Sequence, residues 1–218
     1  MKKSKLIWEN GIYTFLKKNE IVETEELDLL SKYYKIQGIE GNKYQVLGYN
    51  DILIDEVYDK CYGIFVNIYQ NFMIDKNIFI IKERLDGKNS KIGQIMSKSC
   101  FSIGVIELAN LLKQRHDQVY SLMNLEIILH DKFNEIEFYP IQEDYKNISK
   151  VVKTLRDQFY AHRGFNASIE SDKMVIWNFC EKLKKYFSNI IEQIDKKPKN
   201  FENYIRINEA DIRMFLGL

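Results

Sequence analysis

The chain has 218 residues, 45% of them hydrophobic and 29% charged, with 32 Lys and Arg against 31 Asp and Glu for a formal net charge of +1. This is the composition of an ordinary globular protein; it excludes a broadly basic coat, so any nucleic-acid contact has to use a local patch. A chain this long buries roughly 70% of its extended-chain surface and needs neither a disulfide nor a structural metal to fold.

The first residues, Met1 to Asn10, begin with lysines but reach Glu9 and Asn10 before an apolar run of signal-peptide length develops. A short helix is predicted around Asn10 to Lys18 and another near Glu23 to Tyr34. Lys35 to Gly48 then reads as a small hairpin or loop, because Glu40-Gly41-Asn42 supplies turn chemistry between β-prone flanks. From Asp51 the apolar period becomes helical: Ile54, Val57, Cys61, Phe65, Ile68 and Phe72 recur at steps of three and four, so a long core helix is predicted from about residue 51 into the 70s or 80s. Its most apolar stretch, Asn77 to Ile81, is too short to span a bilayer and is followed by Lys82, Glu83 and Arg84. The expectation is a cytoplasmic protein with no membrane contact.

A second helix is predicted from Lys91 to about Lys113, with Ile92, Ile95, Ile106, Ala109 and Leu112 on one face and Ser99 and Ser102 small enough for a close helix approach. Further helices are predicted from Asp117 to about Asp131, from about Glu143 to His162, and from Ser171 to about Ile194. The fourth of these five lies between Pro140 and Gly164, a breaker and a C-cap. Pro198 separates a C-terminal extension. The expected fold class is all-α: a helical bundle over 51–195, preceded by a mixed N-terminal extension over 1–50 and followed by an extension over 196–218.

Chemistry concentrates on the fourth helix. Tyr145, Ile148, Val152, Leu155 and Phe159 form an apolar stripe, and His162 is its next position. Arg156, Tyr160 and Arg163 fall together on an adjacent face, so one helix offers an imidazole at the edge of a hydrophobic seam with guanidinium groups beside it. The string Leu155-Arg-Asp-Gln-Phe-Tyr-Ala-His162 resembles the signature of the HEPN superfamily, in which an Arg and a following polar residue precede a His by four to six positions. With Ala161-His162-Arg163 closing it, the string is most similar to the AbiU-type abortive-infection branch. The resemblance covers about 51 to 195. It implies a bundle of HEPN type that dimerises through its motif helix, and a metal-independent endoribonuclease in phage defence or toxin action, with both protomers contributing Arg156 and His162 to one cleft. The seam of Ile148, Val152, Leu155 and Phe159 is expected to be the surface that the two copies bury.

RNA carries its own nucleophile, the 2′-hydroxyl, so cleavage without metal needs a proton acceptor near that hydroxyl and positive charge on the phosphate. His162 suits the first task and Arg156 the second. Arg163 suits a backbone contact or a solvated helix end, Asp157 an orienting carboxylate or the solvent face, and Tyr160 base stacking, although core or interface packing is the commoner role for such an aromatic. The expected partners are RNA, a second copy of the chain and an antitoxin or inhibitor protein. A regulatory tyrosine found in some family members two residues after the His is replaced by Gly164. The same residues also fit a bland reading: a histidine at a helix C-terminus, an Arg156 held in a surface ion pair, and a non-catalytic interaction protein.

His116-Asp117 and His130-Asp131 suggest a metal-dependent phosphohydrolase, but the ligand set is incomplete and the pairs stand about 21 Å apart along one helix. Cys61, Cys100 and Cys180 show no metal-ligand spacing and read as small core residues in a reducing compartment. No phosphate-loop, dinucleotide or serine-hydrolase string is present, so neither metal nor cofactor is expected. The lysines at 182, 184, 185, 196, 197 and 199 could guide RNA, but the acidic residues among them favour a solvated face.

Overall fold

The computed structural model describes residues 7–8, 11–12, 14–113, 119–161, 169–199, 201 and 209–216. In chain order the elements are β1 (Ile7–Trp8), β2 (Gly11–Ile12), β3 (Ile21–Glu23), α1 (Leu27–Tyr33), β4 (Tyr34–Glu40), β5 (Lys43–Tyr49), α2 (Asp51–Ile81), α3 (Gly87–Leu111), α4 (Leu122–Lys132), α5 (Gln142–Ala161), α6 (Ile169–Ile194) and α7 (Glu209–Leu216). Helix accounts for 71% of the described residues, beside a small three-stranded antiparallel sheet near the N-terminus. Two compact units are formed, one from Met1–Cys61 with Leu112–Glu137, the other from Tyr62–Leu111 with Phe138–Leu218.

In the first unit the strand order is β3-β5-β4, with Val22 opposite Tyr44 and Ile36 opposite Val46. The β4–β5 hairpin turns at Gly41, whose φ of 57° is open to glycine without steric cost. Val46 is fully buried, and Phe15 stacks on Tyr49 with ring centroids 5.5 Å apart. The helix expected over Asn10 to Lys18 does not form. Gly11–Ile12 pairs with Ile7–Trp8 instead, and Phe15 and Leu16, adjacent rather than three or four apart, both bury from an irregular segment. Asn19 closes that segment with φ 68°, and its N–H donates to the Val46 carbonyl. The helix expected from Glu23 is shortened to Leu27–Tyr33, because Ile21–Glu23 is drawn into the sheet as its third strand.

α4 also starts later than Asp117: Ser121 is its N-cap, the side-chain oxygen accepting the Asn124 N–H at 3.3 Å. Three polar ties cross this unit. Lys18 meets Asp131 and Lys132 meets Asp51, each at 2.8 Å, and the Tyr120 hydroxyl donates to Glu56 at 2.6 Å.

The second unit is helical, and aromatic rings fill its interior. Phe187 of α6 stacks on Phe65 of α2 at 4.8 Å and takes the edges of Tyr62 and Tyr186. The close approach on α3 is made by glycines rather than by Ser99 and Ser102: a Cβ at Gly104 would lie 2.4 Å from the Phe72 ring. Gly93, Phe101, Gly104, Val105, Leu108 and Leu111 form the buried line of α3, whereas Ser99 is exposed and Ile95 is 66% exposed. α7 lies over a separate apolar group, with Ile212 and Leu216 against Ile78 and Ile81.

Gly104→Ala should lower the stability of the chain by about 1–3 kcal/mol, read as a lower urea midpoint, since the new methyl has only a buried ring to push against. A second outcome concerns alkali. Burial, its largest cause in each case, pushes the phenols of Tyr34 and Tyr120 up and that of Tyr49 up to about 12. A phenol held above its ordinary value of about 10 keeps its proton longer when folded, so the stability it contributes is full below about pH 10 and is lost as pH rises through the folded value. Thermal melts from pH 8 to 12 should therefore show a fall beginning near pH 10, and Tyr49→Phe should make that fall shallower.

Candidate functional site

α5 begins after Pro140 and is strongly two-faced. Ile148, Val152 and Leu155 are 3%, 1% and 0% exposed and pack within their own unit, where α5 meets α3 and α6. The seam is therefore already covered by its own chain. Physically this follows from its width: one stripe at three-four spacing is just enough to seat a helix on two neighbours, with no apolar face left over.

Arg156 lies at the rim of that seam, half-buried. Its Nε and Nη2 both donate to Oδ1 of the next residue, Asp157, at 3.1 and 2.8 Å, and Asp157 is exposed. An exposed pair of this kind contributes about 0–1 kcal/mol, so a phosphate, which binds guanidinium in the same forked geometry, competes with Asp157 for Arg156 at small cost. The structure thus brings Arg156 and Asp157 together. The backbone of α5 passes through Tyr160, whose side chain lies outside the described residues, as do His162 and Arg163 altogether.

The other sequence candidates separate into structural roles. His116 and Asp117 lie outside the described residues; His130 is exposed, and Asp131 is held by Lys18 and packs beside Gly48. Among the described residues no group of three or more His, Cys, Asp or Glu is arranged to hold a metal ion. The lysines of α6 are already engaged: Lys182 with Asp144, Lys184 over the Tyr69 ring and Lys185 over the Tyr139 ring. Cys61 and Cys180 are fully buried and burial pushes both thiols up, which leaves them unreactive. Among the described residues no helix is long and apolar enough to cross a membrane.

One polar cluster escaped sequence reasoning. In the core of the second unit Asp75 of α2 is 0% exposed, and its Oδ1 accepts from Lys173 Nζ of α6 at 2.6 Å and from the Ser97 hydroxyl of α3. Lys173 also sits 4.6 Å over the Phe101 ring. Asp75 Oδ2 and the Trp177 indole Nε1 have no partner at hydrogen-bond geometry, although the indole still acts weakly on the carboxyl. Burial raises the Asp75 pKa; the Lys173 charge and the hydrogen bonds offset this only in part. The sequence signal was present. Asp75 continues the stripe of Phe65, Ile68 and Phe72, and Lys173 opens that of Ile176, Cys180, Leu183 and Phe187, so each places a charge where the helical period calls for an apolar residue.

With burial this complete the cluster ties three helices and offers no face to a substrate. Lys173→Met and Asp75→Asn should each cost about 3–5 kcal/mol, because each strands the other member in the core. The double replacement Asp75→Leu with Lys173→Met should recover much of that loss. Urea denaturation of the three variants checks it, and a double variant as unstable as the sum of the singles would contradict the desolvation argument.

No family model matches the chain, and neither a curated protein nor a solved structure does.

Proposed function

We propose that the chain is a metal-independent endoribonuclease of HEPN type, working in the cytoplasm in phage defence or as a toxin. The reading rests on the motif on α5, and the observation that carries it is the position of Arg156: at the rim of a buried seam, with its guanidinium held, among the described residues, by an exposed neighbour. In this scheme His162 takes the proton of the RNA 2′-hydroxyl, the oxygen attacks the adjacent phosphorus, and the 5′-oxygen leaves with a proton supplied by the second copy's imidazole. The products are a 2′,3′-cyclic phosphate and a 5′-hydroxyl. Arg156 exchanges Asp157 for the phosphate and offsets the charge that builds on its oxygens. Arg163 and Tyr160 hold the flanking nucleotides.

Two copies complete the site. They meet across the polar rim of α5 rather than through Ile148, Val152 and Leu155, which are buried within each protomer. An inhibitor or antitoxin protein would act by covering the same rim.

A second reading has its own observation. The Arg156–Asp157 contact is what a simple surface ion pair looks like, and it suits a helical interaction protein with no catalytic role.

The test is cleavage of single-stranded and loop RNA in EDTA, with cyclic phosphate ends on the products and DNA left intact. His162→Ala should lower the rate 10²- to 10⁴-fold, and Arg156→Ala by about the same order, with both variants folded and dimeric by circular dichroism and light scattering. If a broad RNA panel stays intact, or if both variants cut as fast as the parent, the interaction-protein reading replaces this one.

A further inference from the structure

The outward face of α5 carries a row of cations that no described residue neutralises. Lys146, Lys150 and Lys153 are exposed, and none has an ion pair or ring contact among the described residues. At about 100° per residue they lie within an arc of roughly 60°, and Arg156 stands about 60° beyond Lys153. The row is about 15 Å long from Lys146 to Arg156 at 1.5 Å per residue. It faces away from Ile148, Val152 and Leu155, so seating α5 in the core is what turns it to solvent.

Several other cations in the described chain are engaged. Lys18, Lys132, Lys173 and Lys182 have carboxylate partners, and Lys184 and Lys185 lie over tyrosine rings. On α5 the described carboxylate within this arc is Asp157, which Arg156 occupies; Asp144 is turned aside to Lys182. Like charges three and four residues apart on a helix repel by about 0.2–0.5 kcal/mol per pair, a standing cost that a bound polyanion removes. A row of point charges ending at a guanidinium fork fits a chain of phosphates, with the lysines reading charge and Arg156 reading geometry.

We infer that the Lys146, Lys150 and Lys153 face of α5 is the track along which a single-stranded RNA backbone lies on its way to Arg156. This deepens the ribonuclease reading and rests on it for the choice of RNA; binding and cleavage are nonetheless separable. A fluorescent 2′-O-methyl oligonucleotide has no free 2′-hydroxyl and cannot be cut, so its affinity reports the track alone. Binding should weaken with salt, and the combined variant Lys146→Ala, Lys150→Ala, Lys153→Ala should flatten the plot of log affinity against log salt by about 2, close to 0.7 for each phosphate no longer neutralised. Affinity at 0.1 M salt should fall at least tenfold, with helical content unchanged, since the three side chains are exposed and alanine favours helix. Lys184→Ala with Lys185→Ala, also on a helix surface, should leave the slope where it was.

If the triple variant keeps the parental slope, if the control pair flattens it equally, or if the parent does not bind the oligonucleotide, the track is wrong. A parent that binds with the expected slope but leaves ordinary RNA uncut keeps the track and removes the ribonuclease.

Discussion

The arrangement of the helical unit depends on one buried ion pair. Asp75 and Lys173 lie on different helices, each inside an otherwise apolar stripe, and a third helix contributes Ser97 to the same carboxylate oxygen. Sliding any of the three by one turn, about 5.4 Å, would set a charge against hydrocarbon, where an unpaired ion costs several kcal/mol. Hydrophobic burial alone is tolerant of such slips, because one Phe or Leu level packs much like the next. The pair makes register discrete, and the tight fit of Gly104 against Phe72 then makes it narrow.

Fixing α2, α3 and α6 in this way prepares the bed into which α5 settles. A helix with one apolar stripe has a single way to lie on such a bed, and its remaining surface is turned outward as a consequence. Arg156 sits where the two surfaces meet. Half-buried there, its side chain is restricted without its charge being removed from solution. The division of labour within α5 is thus set by packing.

Long helices were legible because their period is written over many turns: α2 and α6 lie close to their expected bounds, and the β4–β5 hairpin follows from Gly41 and Asn42. The N-terminal segment was not. Phe15, Leu16 and Val22 acquire their roles only when β5, more than twenty residues later, supplies strand pairing and a buried floor, and a local window contains none of that information. The same limit explains the missed cluster. Asp75 and Lys173 are each an anomaly in their own stripe, and only contact between elements 98 residues apart shows that the two anomalies answer one another. Of the site, Arg156 and Asp157 were legible as neighbours on one helix, and a surface ion pair was expected at Arg156, but not that Asp157 would be its partner. That the seam beside them would be used up inside the protomer was not, because a stripe looks the same whichever helix covers it.

The two units are interleaved along the chain, which leaves the first at Cys61, returns at Leu112 and departs again after Glu137. This order matters during synthesis. The sheet and α1 emerge early from the ribosome, but their unit lacks α4, with the Asp131 partner of Lys18, until residues 112–137 have followed. By then α2 and α3 are already outside, with Asp75 and its neighbours waiting for a lysine almost a hundred residues downstream. At 5–20 residues per second that interval lasts about 5–20 s, long on the scale of helix formation and hydrophobic collapse. A nascent chain of this design therefore carries an incomplete and adhesive helical pair for much of its production, and no contiguous fragment of it contains one whole unit without part of the other.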